Sequence, residues 1–69
     1  MEEFFERFKK LRTGHNLSQS EIAACLGVKE KTVLQWENGE RLPRVKQAVK
    51  IKKFFDVSLD YLLGLADDE

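Results

Sequence analysis

From Phe4 to Leu63 the apolar residues of this chain recur every three or four positions, and no stretch alternates with a period of two. In a helix of about 3.6 residues per turn such residues stack on one side, so the pattern specifies amphipathic helices and offers no strand. Pro43 is the only proline, and β-branched runs are missing. The expected fold is all-α and compact, with five helices.

Caps and breakers set the boundaries. The first helix is predicted over roughly Glu2 to Gly14, with Phe4, Phe8 and Leu11 on one face and Phe5 beside them. It ends near Asn16, a residue that tolerates the left-handed conformation of helix ends. Ser18 and Glu21 form a Ser-x-x-Glu capping box opening the second helix. Its inward face is Ile22, Ala23 and Leu26, and Gly27 stops it. The third runs from about Lys29 to Asn38 and stops at Gly39. The loop Glu40-Arg41-Leu42-Pro43 leads to a fourth over about Arg44 to Phe55, with Val45, Ala48, Ile51 and Phe55 inward. A short fifth follows Ser58 and carries Leu59, Leu62 and Leu63. Between the second and third helices only Gly27-Val28-Lys29 remains. So short a turn makes the two helices cross steeply and pack as a rigid pair.

A chain of 69 residues supports one domain, here 1–69, with the helix pair at about 18–38 and an acidic tail at 66–69. Cys25 is the only cysteine, so no intrachain disulfide forms, and a reducing cytoplasmic setting suits the chain. With His15 the only histidine, no ligand spacing suggests a zinc site. No metal or cofactor is expected. The start Met1-Glu2-Glu3 is acidic and no long apolar run follows, which argues against a signal peptide or a membrane span. The expectation is a soluble cytoplasmic protein with no membrane partner and no evident small-molecule ligand.

The net charge is zero, yet its distribution is uneven. All twelve basic residues lie between Arg7 and Lys53, where the only acids are Glu21, Glu30, Glu37 and Glu40; twelve minus four is plus eight. The balancing acids stand at the two ends. A basic middle suits a polyanion-facing surface better than an even mixture does. At about 100° per residue, Val33, Trp36 and Glu37 share one face of the third helix. The opposite face is centred on Lys31 and Gln35, with Leu34 and Asn38 beside them and Glu30 and Thr32 on the shoulders. Lys can bond guanine acceptors, Gln can pair with adenine, and Leu34 can touch a thymine methyl group. Read in isolation, the same residues are good helix formers on a wet surface; the short turn and the basic segment favour the reading face.

With these residues in place the sequence resembles the phage repressor and Cro type (XRE family) of helix-turn-helix DNA-binding proteins, over about Phe8 to Leu63. The matching pieces are Phe8, Leu11 and Arg12; Leu17-Ser18-Gln19 with Glu21-Ile22-Ala23; Leu26-Gly27-Val28; Trp36-Glu37-Asn38-Gly39; and Val57-Ser58-Leu59-Asp60-Tyr61-Leu62-Leu63. The resemblance implies a five-helix lambda-repressor-like domain that inserts its third helix in the major groove of double-stranded DNA, usually as a symmetric dimer on a palindromic operator. It implies base reading by Glu30, Lys31 and Gln35, to which the helix face adds Leu34 as an apolar contact. It implies backbone contacts by Gln19, Lys29, Thr32, Asn38, Arg41 and Arg44. It points to a buried ion pair between Arg12 and Glu37, which face inward on their helices. Tyr61, Leu63 and Leu65 are the dimer candidates, being more apolar surface than so short a helix can bury. Three departures stand out: Lys29 and Arg44 replace usual capping residues, and Lys52 falls on an inward face.

The implied activity is transcription regulation, repression more readily than activation. The alternative within the same fold is a protein-interaction module such as an antitoxin or bridging factor, which would present a connected apolar patch instead of a polar reading face. Catalysis is discarded: there is no glycine-rich phosphate loop, and nothing in the periodicity brings Cys25 and His15 together. His15 is read as an exposed helix-end residue favoured by the dipole.

Overall fold

The computed structural model describes residues 2–68; Met1 and Glu69, the last residue of the acidic tail, lie outside the described residues. These form five helices and no strand: α1 (Phe4–Gly14), α2 (Gln19–Leu26), α3 (Glu30–Glu37), α4 (Val45–Phe55) and α5 (Leu59–Leu62). The first four begin one or two residues later than their predicted starts because a polar residue there serves as an extended cap, and α5 follows Ser58 as predicted.

The caps are of two kinds. Ser18 accepts the Glu21 N–H at 3.0 Å while the Glu21 carboxylate accepts the Ser18 N–H at 2.8 Å, the reciprocal box read in the sequence. Ser58 accepts the Tyr61 N–H in the same way. At the two departures the outcomes differ. Lys29 gives α3 no side-chain cap. For α4, the Gln47 carbonyl reaches back to the Arg44 N–H at 2.9 Å and closes the first turn from the other side.

Helix ends use the left-handed conformation: Asn16 (φ 58°), Gly27 (φ 70°) and Gly39 (φ 74°) stop α1, α2 and the segment after α3. Asp56 (φ 56°) does the same after α4, with no glycine to announce it.

One apolar cluster joins all five helices, through Phe4, Phe8 and Leu11 of α1, Ile22 and Leu26 of α2, Val33 and Trp36 of α3, Ile51 and Phe55 of α4, and Leu62 of α5. Trp36 is wholly buried at its centre, edge-on to Phe8 at 5.6 Å and to Phe4 at 6.4 Å. Edge-to-face packing of this kind adds to the area term. Val45, expected inward, is 78% exposed. It lies on the correct stripe of α4, but the packed part of that stripe begins a turn later, at Ala48. Lys52, also on the inward side, is half-buried, as a lysine with its stem along the core should be.

Candidate nucleic-acid interface

The turn Gly27-Val28-Lys29 carries α2 directly into α3. Gly27 is left-handed, and the Val28 N–H donates to the Ala23 carbonyl at 3.0 Å, which ties the turn back to α2. Val28 packs against the core cluster and fixes the angle at which α3 leaves.

α3 is held from beneath. Val33 and Trp36 are wholly buried. Glu37 faces the same way, and its carboxylate takes the Arg12 Nε–H at 2.5 Å and the Arg12 Nη2–H at 2.9 Å. Gln19 adds a third bond, Nε2 to Oε1 of Glu37 at 3.1 Å, and Arg12 Nη1 donates to the Leu17 carbonyl at 2.8 Å. The side chains of the ion pair are 11% and 3% exposed, so this is a buried, forked pair. Its hydrogen bond to Glu37 raises the Arg12 pKa further above its ordinary value. One carboxylate thereby pins α1, the start of α2 and the end of α3 together.

The opposite face of α3 is open. Glu30, Lys31, Leu34 and Asn38 are exposed, whereas Thr32 and Gln35, on one shoulder, are half-buried. The exposed centre therefore lies nearer Leu34 than helical periodicity suggests. Asn38 donates to the Glu40 carboxylate at 3.2 Å. Lys29, Arg41 and Arg44 are exposed, at the start of α3, in the loop that follows it and before α4. Gln19 is half-buried and engaged with Glu37.

The dimer candidates are placed less uniformly. Leu65 is 70% exposed and Leu63 lies at the surface. Tyr61 is half-buried, packed on the core with its ring under the Arg7 guanidinium at 4.3 Å. With Phe5 and the exposed Leu42, Leu63 and Leu65 line a shallow groove of about 880 Å³. Arg7 is a buried cation that the sequence reading passed over, although it falls on the inward stripe with Phe4, Phe8 and Leu11. Cys25 is exposed on α2. His15 is exposed, with its ring 4.9 Å from that of Phe55 and Nδ1 2.8 Å from the Leu11 carbonyl. Among the described residues no group of His, Cys, Asp or Glu is placed to hold a metal, and no helix is long and apolar enough to cross a membrane.

Two helices joined by so short a turn, the second braced from below and polar above, form a helix-turn-helix unit. Comparison with known proteins gives the same class: the helix-turn-helix family model matches residues 8–62. The chain belongs to this family of DNA-binding transcription regulators, not to a family of enzymes. It is similar to the HTH-type transcriptional activator BcrR of Enterococcus faecalis, 41% identical over 62 residues that cover 90% of this chain and 30% of that protein. An uncharacterized HTH-type transcriptional regulator of Methanocaldococcus jannaschii is 40% identical over 63 residues, covering 91% of this chain and 96% of the relative. Among solved structures, the P22 c2 repressor in complex with a synthetic operator superposes with a TM-score of 0.88 at 26% identity, covering 96% of this chain and all of that one. The chain thus spans under a third of one relative and nearly the whole of another.

Proposed function

We propose that this chain binds double-stranded DNA sequence-specifically in the cytoplasm and regulates transcription, acting as a repressor. In this reading α3 enters the major groove, with Lys31 and Gln35 bonding base edges, Leu34 against a thymine methyl group and Glu30 accepting from a cytosine amino group. Gln19, Lys29, Thr32, Asn38, Arg41 and Arg44 hold the phosphate backbone on either side. The observation that carries the reading is the contrast between the two faces of α3. One is locked to the core by Trp36 and the Arg12–Glu37–Gln19 network; the other is exposed, polar and flanked by cations. Rigid presentation of a polar face is what base readout needs. The P22 c2 repressor, similar over nearly the whole chain, is a repressor seen on an operator; BcrR, an activator, is the counterweight.

The reading includes a homodimer on a palindromic site, with half-sites about 10 base pairs apart, centre to centre. The groove lined by Phe5, Leu42, Leu63 and Leu65 supports it. Glu3, Glu6 and Arg41 line it beside these apolar residues, so it carries charges of both signs. A two-fold contact makes every pairing twice, residue i on j and j on i, so a patch that carries both signs can complement itself. In-vitro selection of bound DNA, followed by footprinting of the selected site, tests both halves. A selected palindrome protected cooperatively is expected; binding without sequence preference overturns the base readout, and a single asymmetric half-site overturns the dimer.

A further inference from the structure

After α5 the chain has little structure of its own. The Gly64 N–H donates to the Tyr61 carbonyl at 3.0 Å and the Leu65 N–H to the Asp60 carbonyl at 2.7 Å. The next residues are held from across the molecule by Arg7, which is 3% exposed. Its Nη1 donates to the carbonyls of Tyr61, at 3.0 Å, and Ala66; its Nη2 donates to the Asp67 carboxylate at 3.0 Å. The guanidinium lies over the Tyr61 ring, and Glu2 approaches its Nε at 3.8 Å. A buried cation must be countered, and the acids that counter it stand on the two ends of the chain. The ends also touch directly. Gly64 (φ 80°) passes so close to the residues before α1 that an added Cβ would lie 2.4 Å from the Glu2 carbonyl oxygen. Only glycine permits both that approach and that backbone conformation.

Residues 63–67 are thus a strap laid over the N-terminal end of α1 and fastened by one arginine. The strap carries Leu63 and Leu65 and forms one wall of the apolar groove. We propose that Arg7 is a positioning residue for self-association: by fastening the strap it holds Leu63 and Leu65 where a second copy of this chain meets them. This rests on the dimer reading above. Unfastened, the strap has few bonds left, and the groove loses a wall while the DNA-reading face, built on α2 and α3, keeps its own supports.

The test uses the full chain and two perturbations of the strap that leave Arg7 in place, Asp67→Asn and Gly64→Ala, with Arg7→Lys as a third. Hydrogen exchange of the Leu65 amide reports fastening, that of core amides such as Ile51 reports the fold, and binding to DNA with one or two half-sites reports association. Asp67→Asn is expected to speed Leu65 exchange about threefold, the effect of one partly exposed charge-assisted bond. Gly64→Ala is expected to speed it by about tenfold or more, because both clash and backbone strain oppose the strap. Core amides stay far better protected than Leu65 and speed by no more than the same factor, cooperativity between half-sites falls in the same order, and affinity for one half-site stays within about twofold. Leu65 exchange indifferent to both substitutions overturns the clasp. Faster exchange with undiminished cooperativity overturns its role in association. Wild-type chain that binds two half-sites independently, with the Leu65 response intact, overturns the dimer reading on which that role depends.

Discussion

The Glu37 carboxylate is the point at which the reading helix is most open to a single perturbation. Glu37→Gln keeps the shape of the side chain and removes its charge. It leaves the Arg12 guanidinium in a site 11% exposed, with only neutral acceptors, the Leu17 carbonyl and the new amide oxygen. Breaking one partner of a buried pair costs on the order of 3 kcal/mol, because the other charge is stranded. A domain of this size is stable by about 3 to 10 kcal/mol, so the loss is a large share of the total. It corresponds to a fall in Tm of about 12 to 24 °C. Arg12→Met should do similar harm by stranding the carboxylate. Replacing both, Arg12→Met with Glu37→Gln, removes the stranded charge and should cost about 1 kcal/mol where the two single changes add to about 6, for a coupling of about 5 kcal/mol. Urea unfolding followed by Trp36 fluorescence and by far-UV circular dichroism supplies the four corners of the cycle. Coupling under about 0.5 kcal/mol, the range of exposed pairs, would refute the claim that this carboxylate pins α3.

Gln35→Ala should weaken the selected DNA site by about 1 to 3 kcal/mol and leave a scrambled site nearly untouched. Arg44→Ala should weaken both and lower the slope of log affinity against log salt by about one; titrations of both variants at several salt concentrations check this. The Glu21 carboxyl is held below the ordinary carboxylate pKa, chiefly by the Ser18 backbone N–H and then by the Ser18 side chain. A depressed acid stabilises the fold above its unfolded-state pKa and ceases to do so as the pH falls through its folded-state value. The stability gap between wild type and Glu21→Gln should be full at neutral pH and close as the pH falls through the carboxylate range, as read by thermal melts across that range. Asp56→Gly should raise stability by up to about 1 kcal/mol, since glycine adopts the left-handed conformation there without a Cβ penalty; a melt that moves down instead would place a compensating role on the Asp56 side chain.

Much of the fold was legible because the helices begin and end on local chemistry. Ser18 with Glu21, and Asn16, Gly27 and Gly39, act through hydrogen bonds and backbone angles within a few residues of themselves. Where the signal was not local, the reading fell short. Periodicity gave the stripe of α4 but not its neighbours, so Val45 was placed inward at a turn that nothing covers. Asp56 does the work of a stop glycine under another name. Arg12 and Glu37 were legible as a pair because each charge faced inward on its helix and required an opposite. Arg7 stood on an equally inward stripe, yet its partner Asp67 lies sixty positions away, in a segment with no periodicity to place it. The same fastening explains Tyr61: its aromatic face is covered by the arginine, and the exposed apolar residues of the groove are Leu42, Leu63 and Leu65.

The charge pattern acquires a direction once the pairs are known. The segment from Arg7 to Lys53 carries twelve bases and four acids, plus eight in all. Arg7, Lys10 and Arg12 are paired with Asp67, Glu2 and Glu37. Setting aside those bases and Glu37, which lies within the segment, leaves nine bases against three acids, or plus six. Of the nine, only Lys9 precedes Lys29; the others run from Lys29 to Lys53, on α3, α4 and the segments before them. Pairing therefore removes positive charge mainly from α1, the helix that carries the acidic start and the fastened acidic strap. The molecule measures 27 × 22 × 21 Å, whereas screening at physiological salt acts over about 8 Å. An approaching polyanion thus meets unpaired bases mainly on α3, α4 and the segments before them, and acids mainly at the two ends of the chain. A chain of zero net charge can in this way be steered onto DNA in one orientation, with Arg7 and Arg12 contributing by being absent from the surface field.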